Sequence, residues 1–358
     1  YGGYLAQYDQ FDPLFFRISP KEAEWMDPQE RLFIQEVWHA MEDAGYTREA
    51  LQGKKVGVFV GVTNGHYQLN ETEIDGELVS PLNSYASIAN RISYLLQLEG
   101  PSLAVDTMCS SFLTALHLAS ESLKRNECDM AIVGSANLIM HPYKQVQLAL
   151  SKFASPKGRC HSFGKSADGY VPGEGVGAVL LKPVALAEAD EDYIYGVIRA
   201  TSINHGGRSN GYTVPNPKAQ SMVIVDALNK AGVSPEDIGY LEAHGAGTPL
   251  GDPIEIQGLS QAFGRFTQKK QYCAIGSVKS NIGHLEAASG LAGLTKVLLQ
   301  MKHKCLVPSL HANELNPDID FSQTPFTVHE SFSPWPAVTK KLANGSIIER
   351  PRLAGISA

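Results

Sequence analysis

The sequence VDTMCSSFLTALHLA at residues 105–119 places a single thiol, that of Cys109, between a strand-like run and a helix-like run. The run LAVDT (103–107) before it is typical of a short strand. After it, apolar side chains recur at intervals of three and four, at Phe112, Leu116 and Ala119, which predicts a helix. Cys109 is therefore predicted at a strand-to-helix turn, where free backbone N–H groups and the positive helix end stabilise a thiolate.

The same alternation of short apolar runs and helical patterns recurs along the chain. The predicted strands cover residues 54–62, 128–136, 193–203, 238–244 and 272–278. Strands that alternate with helices predict an α/β protein in which helices cover the sheets.

Two of the predicted helices have clear start signals. In the first, Asp27 is the expected N-cap and Glu30 its capping-box partner. In the second, Asp252 and Glu255 repeat this spacing. A proline follows each aspartate and a glycine follows each helical pattern, as is usual at helix starts and ends.

The composition argues against several partners and sites. The chain has 358 residues and a formal net charge of -7, so nucleic acid is not an expected partner. No apolar run reaches the roughly 18 residues of a membrane helix. The five cysteines form no CxxC pair, so we expect neither a bound metal nor disulfides, but reduced thiols in a cytoplasmic protein. The sequence GEGVG at residues 173–177 precedes a strand pattern rather than a helix, which argues against a dinucleotide loop.

Two histidines lie on glycine-bounded turns after predicted strands. His244 follows one strand and precedes Gly245, whereas His284 follows Gly283 and precedes a helix rich in small residues. Polar groups at the carboxyl ends of strands form the sites of layered α/β proteins. Either histidine alone is often a structural residue, but together with Cys109 they predict a nucleophile with two imidazoles.

Five motifs together resemble the β-ketoacyl synthase, or ketosynthase, domain of modular type I polyketide synthases. They cover essentially the whole chain in the order of that family. The motifs are FDPLFFRISPKEAEWMDPQERL (11–32), VDTMCSSFLTALHLA (105–119), DGYVPGEGVGAVLLKP (168–183), EAHGAGTPLGDPIE (242–255) and VKSNIGHLEAASGLAG (278–293). Met108 and the YVPGEG run are most similar to synthases whose acyltransferase is a separate protein.

The resemblance implies a thiolase-like fold, with two pseudo-repeated halves in a layered αβαβα architecture. We expect residues 1–204 to form the half with the nucleophile and residues 205–358 the half with both histidines. The family's opening strand and its glycine-rich final segment have no counterpart in the sequence, which predicts a chain truncated at both ends.

The resemblance also implies roles for individual residues. Cys109 would carry the acyl chain as a thioester, while His244 and His284 would assist decarboxylation of a malonyl-type extender and stabilise its enolate oxygen. Lys279 would orient the site through a carboxylate, for which Glu286 is the candidate. The implied substrate-binding residues are Met108, Thr248, Asn281 and Glu286.

Two departures from the family pattern affect this site. Ala246 stands where the family has the first of two threonines that contact the phosphopantetheine arm, and Thr248 retains the second. Met108, which replaces the more usual alanine, is expected to line the acyl pocket. Turnover is therefore expected to be weakened rather than lost.

The resemblance implies an acyltransferase that works with an acyl carrier protein, neighbouring synthase domains and a second copy of itself. The resemblance also implies that such an enzyme has no bound cofactor, because its substrates arrive on the phosphopantetheine of the carrier. Two alternatives stay open: a non-elongating domain that only transfers acyl chains, and the ketosynthase of a fatty acid synthase. Non-elongating domains typically lack the histidine of the EAHG motif, so His244 favours elongation.

Overall fold

A computed structural model describes residues 1–52, 54–74, 77–81, 84–209, 211–341 and 347–358. The chain forms two compact units, each built from three segments of sequence. The first unit comprises Tyr1–Ser151, Pro172–Val197 and Leu285–Leu291, and the second comprises Lys152–Val171, Ile198–His284 and Ala292–Ala358. Cys109 thus belongs to the first unit, and both histidines of the predicted site belong to the second.

Helices and short strands alternate through both units. The α-helices are α1 (Pro20–Trp25), α2 (Pro28–Asp43), α3 (Arg48–Leu51), α4 (Tyr85–Leu96), α5 (Ser111–Lys124), α6 (Tyr143–Leu150), α7 (Val184–Ala189), α8 (Pro217–Ala231), α9 (Gly251–Phe263), α10 (Lys279–Ile282) and α11 (Ser289–His303). The strands are β1 (Val56–Gly61), β2 (Thr72–Ile74), β3 (Glu77–Val79), β4 (Ser102–Val105), β5 (Met130–Asn137), β6 (Gly175–Leu181), β7 (Ile238–Glu242), β8 (Cys273–Gly276), β9 (Cys305–Leu306), β10 (Phe326–Val328), β11 (Ser333–Pro334), β12 (Val338–Lys341), β13 (Ile347–Arg350) and β14 (Leu353–Ile356). Single turns of 3₁₀-helix include Met108–Ser110 and Glu286–Ala288. None of the helices in the described ranges is long and apolar enough to cross a bilayer.

The first unit contains a four-stranded sheet in the order β4-β1-β5-β6. Strand β1 pairs in parallel with β4 and with β5, and β6 runs antiparallel to β5. Every residue of β1 and of β5 is buried, as expected for central strands that are covered on both faces. The carboxyl ends of β1, β4 and β5 therefore lie at one edge of the sheet, the edge at which Cys109 follows β4.

Helix α2 shows how the core of the first unit is made. Its side chains at Phe33, Val37 and Met41 lie on one helical face, and all three are buried. The ring of Phe33 packs against Gly134 of β5, where a Cβ atom would lie only 2.3 Å from the ring carbon Cε2. Asp27 caps the helix, since its carboxylate accepts from the backbone N–H of Gln29 (2.8 Å).

The second unit contains a four-stranded parallel sheet in the order β10-β8-β7-β14. Its core joins the sheet to α8 and α9 through buried apolar side chains. These include Leu228, Leu241, Ile256, Leu259, Phe263, Ile275 and Phe326. The EAHG turn follows β7 and the SNIGH turn follows β8, so both predicted histidine turns lie at the carboxyl edge of this sheet.

Two predictions of local structure outside the candidate site are wrong. Residues 193–203 form no strand, although they are rich in β-branched and aromatic residues, because no described strand pairs with them. The hydroxyl of Tyr195 instead donates to Asp43 (3.0 Å). Glu30 does not close a capping box, because its carboxylate accepts hydrogen bonds from Arg91 and Ser87 (both 2.8 Å).

Candidate functional site

Cys109 lies in the single 3₁₀ turn that joins β4 to α5, as the sequence predicts. Ser111 fixes this turn, because its hydroxyl accepts from the N–H of Thr107 (2.9 Å) and donates to the carbonyl of Met108 (2.6 Å). Met108 has a φ of 58°, in the left-handed region that non-glycine residues rarely adopt. A rare conformation immediately before a nucleophile candidate is typical of functional turns.

The start of α11 supports the same turn from within the first unit. The hydroxyl of Ser289 donates to the carbonyl of Cys109 (3.1 Å). A Cβ atom at Gly290 would lie 2.8 Å from Cγ of Leu113 in α5, so only glycine allows this approach. The small residues that follow His284 in the sequence thus include one, Gly290, that lets α11 pack closely against α5.

A buried polar network lies at the same edge of the first sheet. Lys144 forms an ion pair with Glu286, and its ammonium also donates to the side-chain oxygen of Asn137 (3.1 Å). The side-chain amide of Asn64 donates to Glu286 (2.8 Å). Lys144 and Glu286 expose only 3% and 7% of their surfaces, so the two opposite charges are paired in a buried setting. No recognisable motif in the sequence indicates Lys144, which follows β5.

His244 and His284 are neighbours in the second unit. Their ring centroids lie 5.2 Å apart, with the rings nearly perpendicular. His284 is 1% exposed, and its backbone N–H donates to the carbonyl of Val171 (2.7 Å). Its ring contacts that of Tyr170, with the ring centroids 4.7 Å apart. The structure therefore brings together the two imidazoles that the sequence predicted separately.

Lys279 is directly attached to this pair. Its ammonium donates to the backbone carbonyl of His244 (2.6 Å), and it is 4% exposed. Burial, and then the positive charge of Lys279, hold the pKa of His244 well below its usual range. His244 is therefore neutral at pH 7, and its buried Nδ1 has no hydrogen-bond partner among the described residues. A neutral imidazole with an unused nitrogen can donate to, or accept from, a bound substrate.

Glu255 and Asp252 hold the turn that carries His244. Glu255 accepts from the N–H groups of His244 (2.7 Å) and Gly245 (2.8 Å), and Asp252 accepts from those of Gly247 (3.1 Å) and Phe163 (2.7 Å). The predicted N-cap role of Asp252 is wrong, because the residue lies inside α9 and the N-cap is Leu250. Sequence reasoning thus missed both positioning carboxylates, although their three-residue spacing on one face of a helix after the EAHG turn was a usable signal.

Burial dominates the electrostatics of these two carboxyl groups. It raises the pKa of Glu255 to about 7 and that of Asp252 to about 6, even though hydrogen bonds from backbone N–H groups oppose the shift. The charge of Asp252 raises the pKa of Glu255 further. The turn is therefore held by buried groups whose protonation changes near neutral pH.

The remaining substrate-binding candidates lie in different settings. Thr248 is partly exposed after Gly247, and its hydroxyl accepts from the N–H of Gly251 (3.2 Å). Asn281 is exposed in α10, and Met108 is 65% exposed beside Cys109. Their contacts with substrate stay predictions, as do the catalytic roles assigned to the cysteine, histidines and lysine.

Two family models match the chain. The model of the β-ketoacyl synthase N-terminal domain matches residues 1–187, and that of the C-terminal domain matches residues 195–313. Together they cover most of the sequence.

Curated relatives are large proteins of which this chain matches a small part. The chain is 55% identical over its whole length to polyketide synthase PksL of Bacillus subtilis, of which it spans 8%. It is also 55% identical to polyketide synthase ThaG of Burkholderia thailandensis, of which it spans 6%.

Solved ketosynthase structures have the same fold. The oxazolomycin ketosynthase domain OzmH KS7 of Streptomyces albus matches with a TM-score of 0.94 and 52% identity, over 99% of this chain and 61% of that one. The ketosynthase from module 6 of the bacillaene synthase of Bacillus subtilis matches with a TM-score of 0.91 and 45% identity, over 99% of this chain and 60% of that one. These similarities confirm the predicted thiolase-like α/β fold, and the chain belongs to the β-ketoacyl synthase family of acyltransferases, among the ketosynthase domains of polyketide synthases.

Proposed function

We propose that the protein catalyses decarboxylative condensation of an acyl chain with a malonyl-type extender during polyketide chain elongation. In the first half-reaction, the Cys109 thiolate attacks the acyl thioester of an acyl carrier protein. The carrier thiol leaves and takes up the proton that Cys109 gave up, and the acyl chain stays on Cys109 as a thioester.

In the second half-reaction, a malonyl group on a carrier loses CO2 and becomes an enolate. The enolate carbon attacks the carbonyl of the Cys109 thioester and forms the new carbon–carbon bond. The Cys109 thiolate leaves and is reprotonated, so one proton is consumed and the β-ketoacyl product remains on the carrier. Loss of CO2, in which the carbon–carbon bond to the malonyl carboxylate breaks, is favoured when hydrogen-bond donors face the developing enolate oxygen.

The pair of imidazoles carries this proposal. His244 and His284 lie 5.2 Å apart between ring centroids, His284 is 1% exposed, and Nδ1 of the half-buried His244 is removed from water. A neutral imidazole N–H in a dry site stabilises an oxyanion without adding a proton to it. The proposed reaction also requires the Cys109 sulfur to reach the same substrate as this pair.

The substrates proposed here are thioesters on the phosphopantetheine of carrier domains. The names of the curated relatives, polyketide synthases PksL and ThaG, support carrier and neighbouring synthase domains as partners. We further propose that the protein is a homodimer, with the acyl chain passing Met108 on its way to Cys109.

Intact-protein mass spectrometry tests the function directly. The protein is incubated with an acyl carrier thioester and then with a malonyl carrier thioester, and acylation and chain extension are scored separately. We expect Cys109→Ala to abolish acylation, and His244→Ala to leave acylation but stop extension.

Cys128→Ala provides the matched control, because this thiol is buried beside β5 and its pKa is raised by burial. It should be acylated at position 109 like the parent protein. Acylation of Cys109→Ala would remove Cys109 from its role. Acylation without extension in the parent protein would favour the non-elongating alternative.

A further inference from the structure

A local excess of positive charge lies in one segment of this acidic chain. Residues 152–165 carry four lysine or arginine side chains and one histidine but no aspartate or glutamate, whereas the whole chain has a net charge of -7. The family motifs described above do not include this segment.

Folding brings three nitrogen-bearing side chains of the second unit together, which we call the Arg159 cluster: Arg159, His161 and His311. The imidazole rings of His161 and His311 lie 5.5 Å apart, and Nδ1 of His161 lies 3.3 Å from the carbonyl oxygen of His311. Arg159 lies two residues before His161 in the chain. Burial, and then the positive charges of Arg159 and His161, lower the pKa of His311.

The carboxylates closest in sequence to the cluster are already paired with other cations. Asp168 forms an ion pair with Lys157 (3.1 Å), and Glu314 forms one with Lys165 (2.9 Å). No carboxylate in the described part of the chain forms an ion pair with Arg159, which is exposed. An exposed guanidinium near two imidazoles in the chain fold is a set of donors that proteins use to bind phosphate groups.

The cluster adjoins the turn that continues from His244. A Cβ atom at Gly247 would lie 2.9 Å from the backbone nitrogen of His161, so the two chain segments are in van der Waals contact there. The N–H of Gly169 donates to the carbonyl of Gly247 (3.0 Å) and closes the same junction. Thr248, the predicted contact of the phosphopantetheine arm, is the next residue along the chain.

We propose that Arg159, His161 and His311 bind the phosphate of the phosphopantetheine arm of a substrate-loaded carrier. This inference rests on the proposed function for its choice of ligand, and it adds a phosphate subsite in the second unit. The phosphate oxygens accept from the guanidinium and the imidazole N–H groups, while the pantetheine continues past Thr248. Coenzyme A thioesters share this phosphopantetheine chemistry, and the experiment separates them from carrier thioesters.

The test measures Cys109 acylation against concentration for four thioesters of the same acyl group, on pantetheine, phosphopantetheine, coenzyme A and a carrier protein. In Arg159→Ala/His161→Gln, we expect the preference for phosphopantetheine over pantetheine thioester, as a ratio of kcat/KM, to fall about tenfold, or about 1.4 kcal/mol. The carrier thioester should lose activity by a similar factor. Lys165→Ala is the control, because it removes a nearby positive charge that is already paired with Glu314.

An unchanged preference in the double variant overturns the phosphate subsite. If the double variant loses activity with the coenzyme A thioester but not with the carrier thioester, the carrier is not the ligand of this subsite. Calorimetric titration with 4′-phosphopantetheine needs no turnover: binding to the parent protein and about tenfold weaker binding to the variant support the subsite, and equal binding overturns it. A parent protein that binds phosphopantetheine but is acylated by no thioester would contradict the proposed function alone.

Discussion

Glu255 lies inside the second unit, where its two carboxylate oxygens accept from the backbone N–H groups of His244 and Gly245. Burial raises its pKa from 4.5 to about 7. Because the pKa in the folded state lies above that in the unfolded state, the protonated carboxyl group contributes stability that is fully present below about pH 4.5. This contribution is lost as the pH rises through about 7.

Glu255→Gln should therefore flatten the pH dependence of stability. The amide does not titrate, so we expect the decrease in free energy of unfolding between about pH 4.5 and 7 to shrink by up to about 3 kcal/mol relative to the parent protein. Asp252, whose pKa is raised to about 6, should keep part of the slope. Urea unfolding at half-unit pH steps measures the effect.

Glu314→Gln is the matched control for this change, because Glu314 is an exposed glutamate paired with Lys165. Its free energy of unfolding and pH profile should stay close to those of the parent protein. Parallel profiles for Glu255→Gln and the parent protein would contradict a buried, titrating Glu255.

Single residues were predictable where a sequence motif indicates their chemistry. Cys109, His244 and His284 stand on turns that glycines, strand ends and helix starts identify in the sequence. Asp252 and Glu255 were read as helix-cap signals, because the same spacing serves both purposes and only the fold brings the EAHG turn against them. The Arg159 cluster forms only when His311 lies beside His161, and these two residues are 150 positions apart in the chain. No local sequence pattern indicates that contact.

At the scale of elements, one buried ion pair joins α6 to the 3₁₀ turn Glu286–Ala288. Lys144→Met would remove the cation that the structure pairs with the buried Glu286 carboxylate. Such losses cost about 3–5 kcal/mol of the free energy of unfolding, even when the intact pair adds little. We expect a destabilisation in this range, measured by urea unfolding at constant pH.

A double-mutant cycle provides the check. Lys144→Met/Glu286→Gln removes both charges, keeps an acceptor for Asn64 and should recover part of the loss. Lys124→Met breaks an exposed pair with Glu121 in α5 and should cost less than about 1 kcal/mol. If Lys144→Met is no more destabilising than Lys124→Met, the ion pair is not the stabilising feature inferred here.

Elements were predictable where a local pattern and a tertiary partner agree. Helix α5 and strands β1, β5, β7 and β8 occupy the predicted places, because their apolar periodicity matches the surfaces they bury. Residues 193–203 have the same local composition but form no strand. Strand propensity alone does not make a strand, since pairing also requires a neighbouring strand, which is often remote in sequence.

At the scale of the whole molecule, the order of five motifs was sufficient to predict the family. Family models and solved ketosynthases confirm it over nearly the full chain. The proposed division into residues 1–204 and 205–358 stays a prediction. Each compact unit also draws on short segments from elsewhere, and the chain passes from the second unit to the first directly after His284.

The proposed homodimer gives β4 a specific role. This strand ends the sheet order β4-β1-β5-β6, and Leu103 on it is 45% exposed. An open strand edge can pair with another strand, and a two-fold axis would place β4 antiparallel to its own copy. Leu103→Lys would bring two ammonium groups together at such an interface, and like charges there are strongly unfavourable.

We therefore expect analytical ultracentrifugation to show a dimer for the parent protein and a dissociation constant at least about tenfold higher for Leu103→Lys. Leu186→Lys is the matched control, since Leu186 is 48% exposed but lies on α7, away from the strand edge. A monomeric parent protein would contradict the homodimer itself. Equal dissociation of the two lysine variants would instead place the interface away from β4, because the penalty depends on the two introduced charges meeting across the axis.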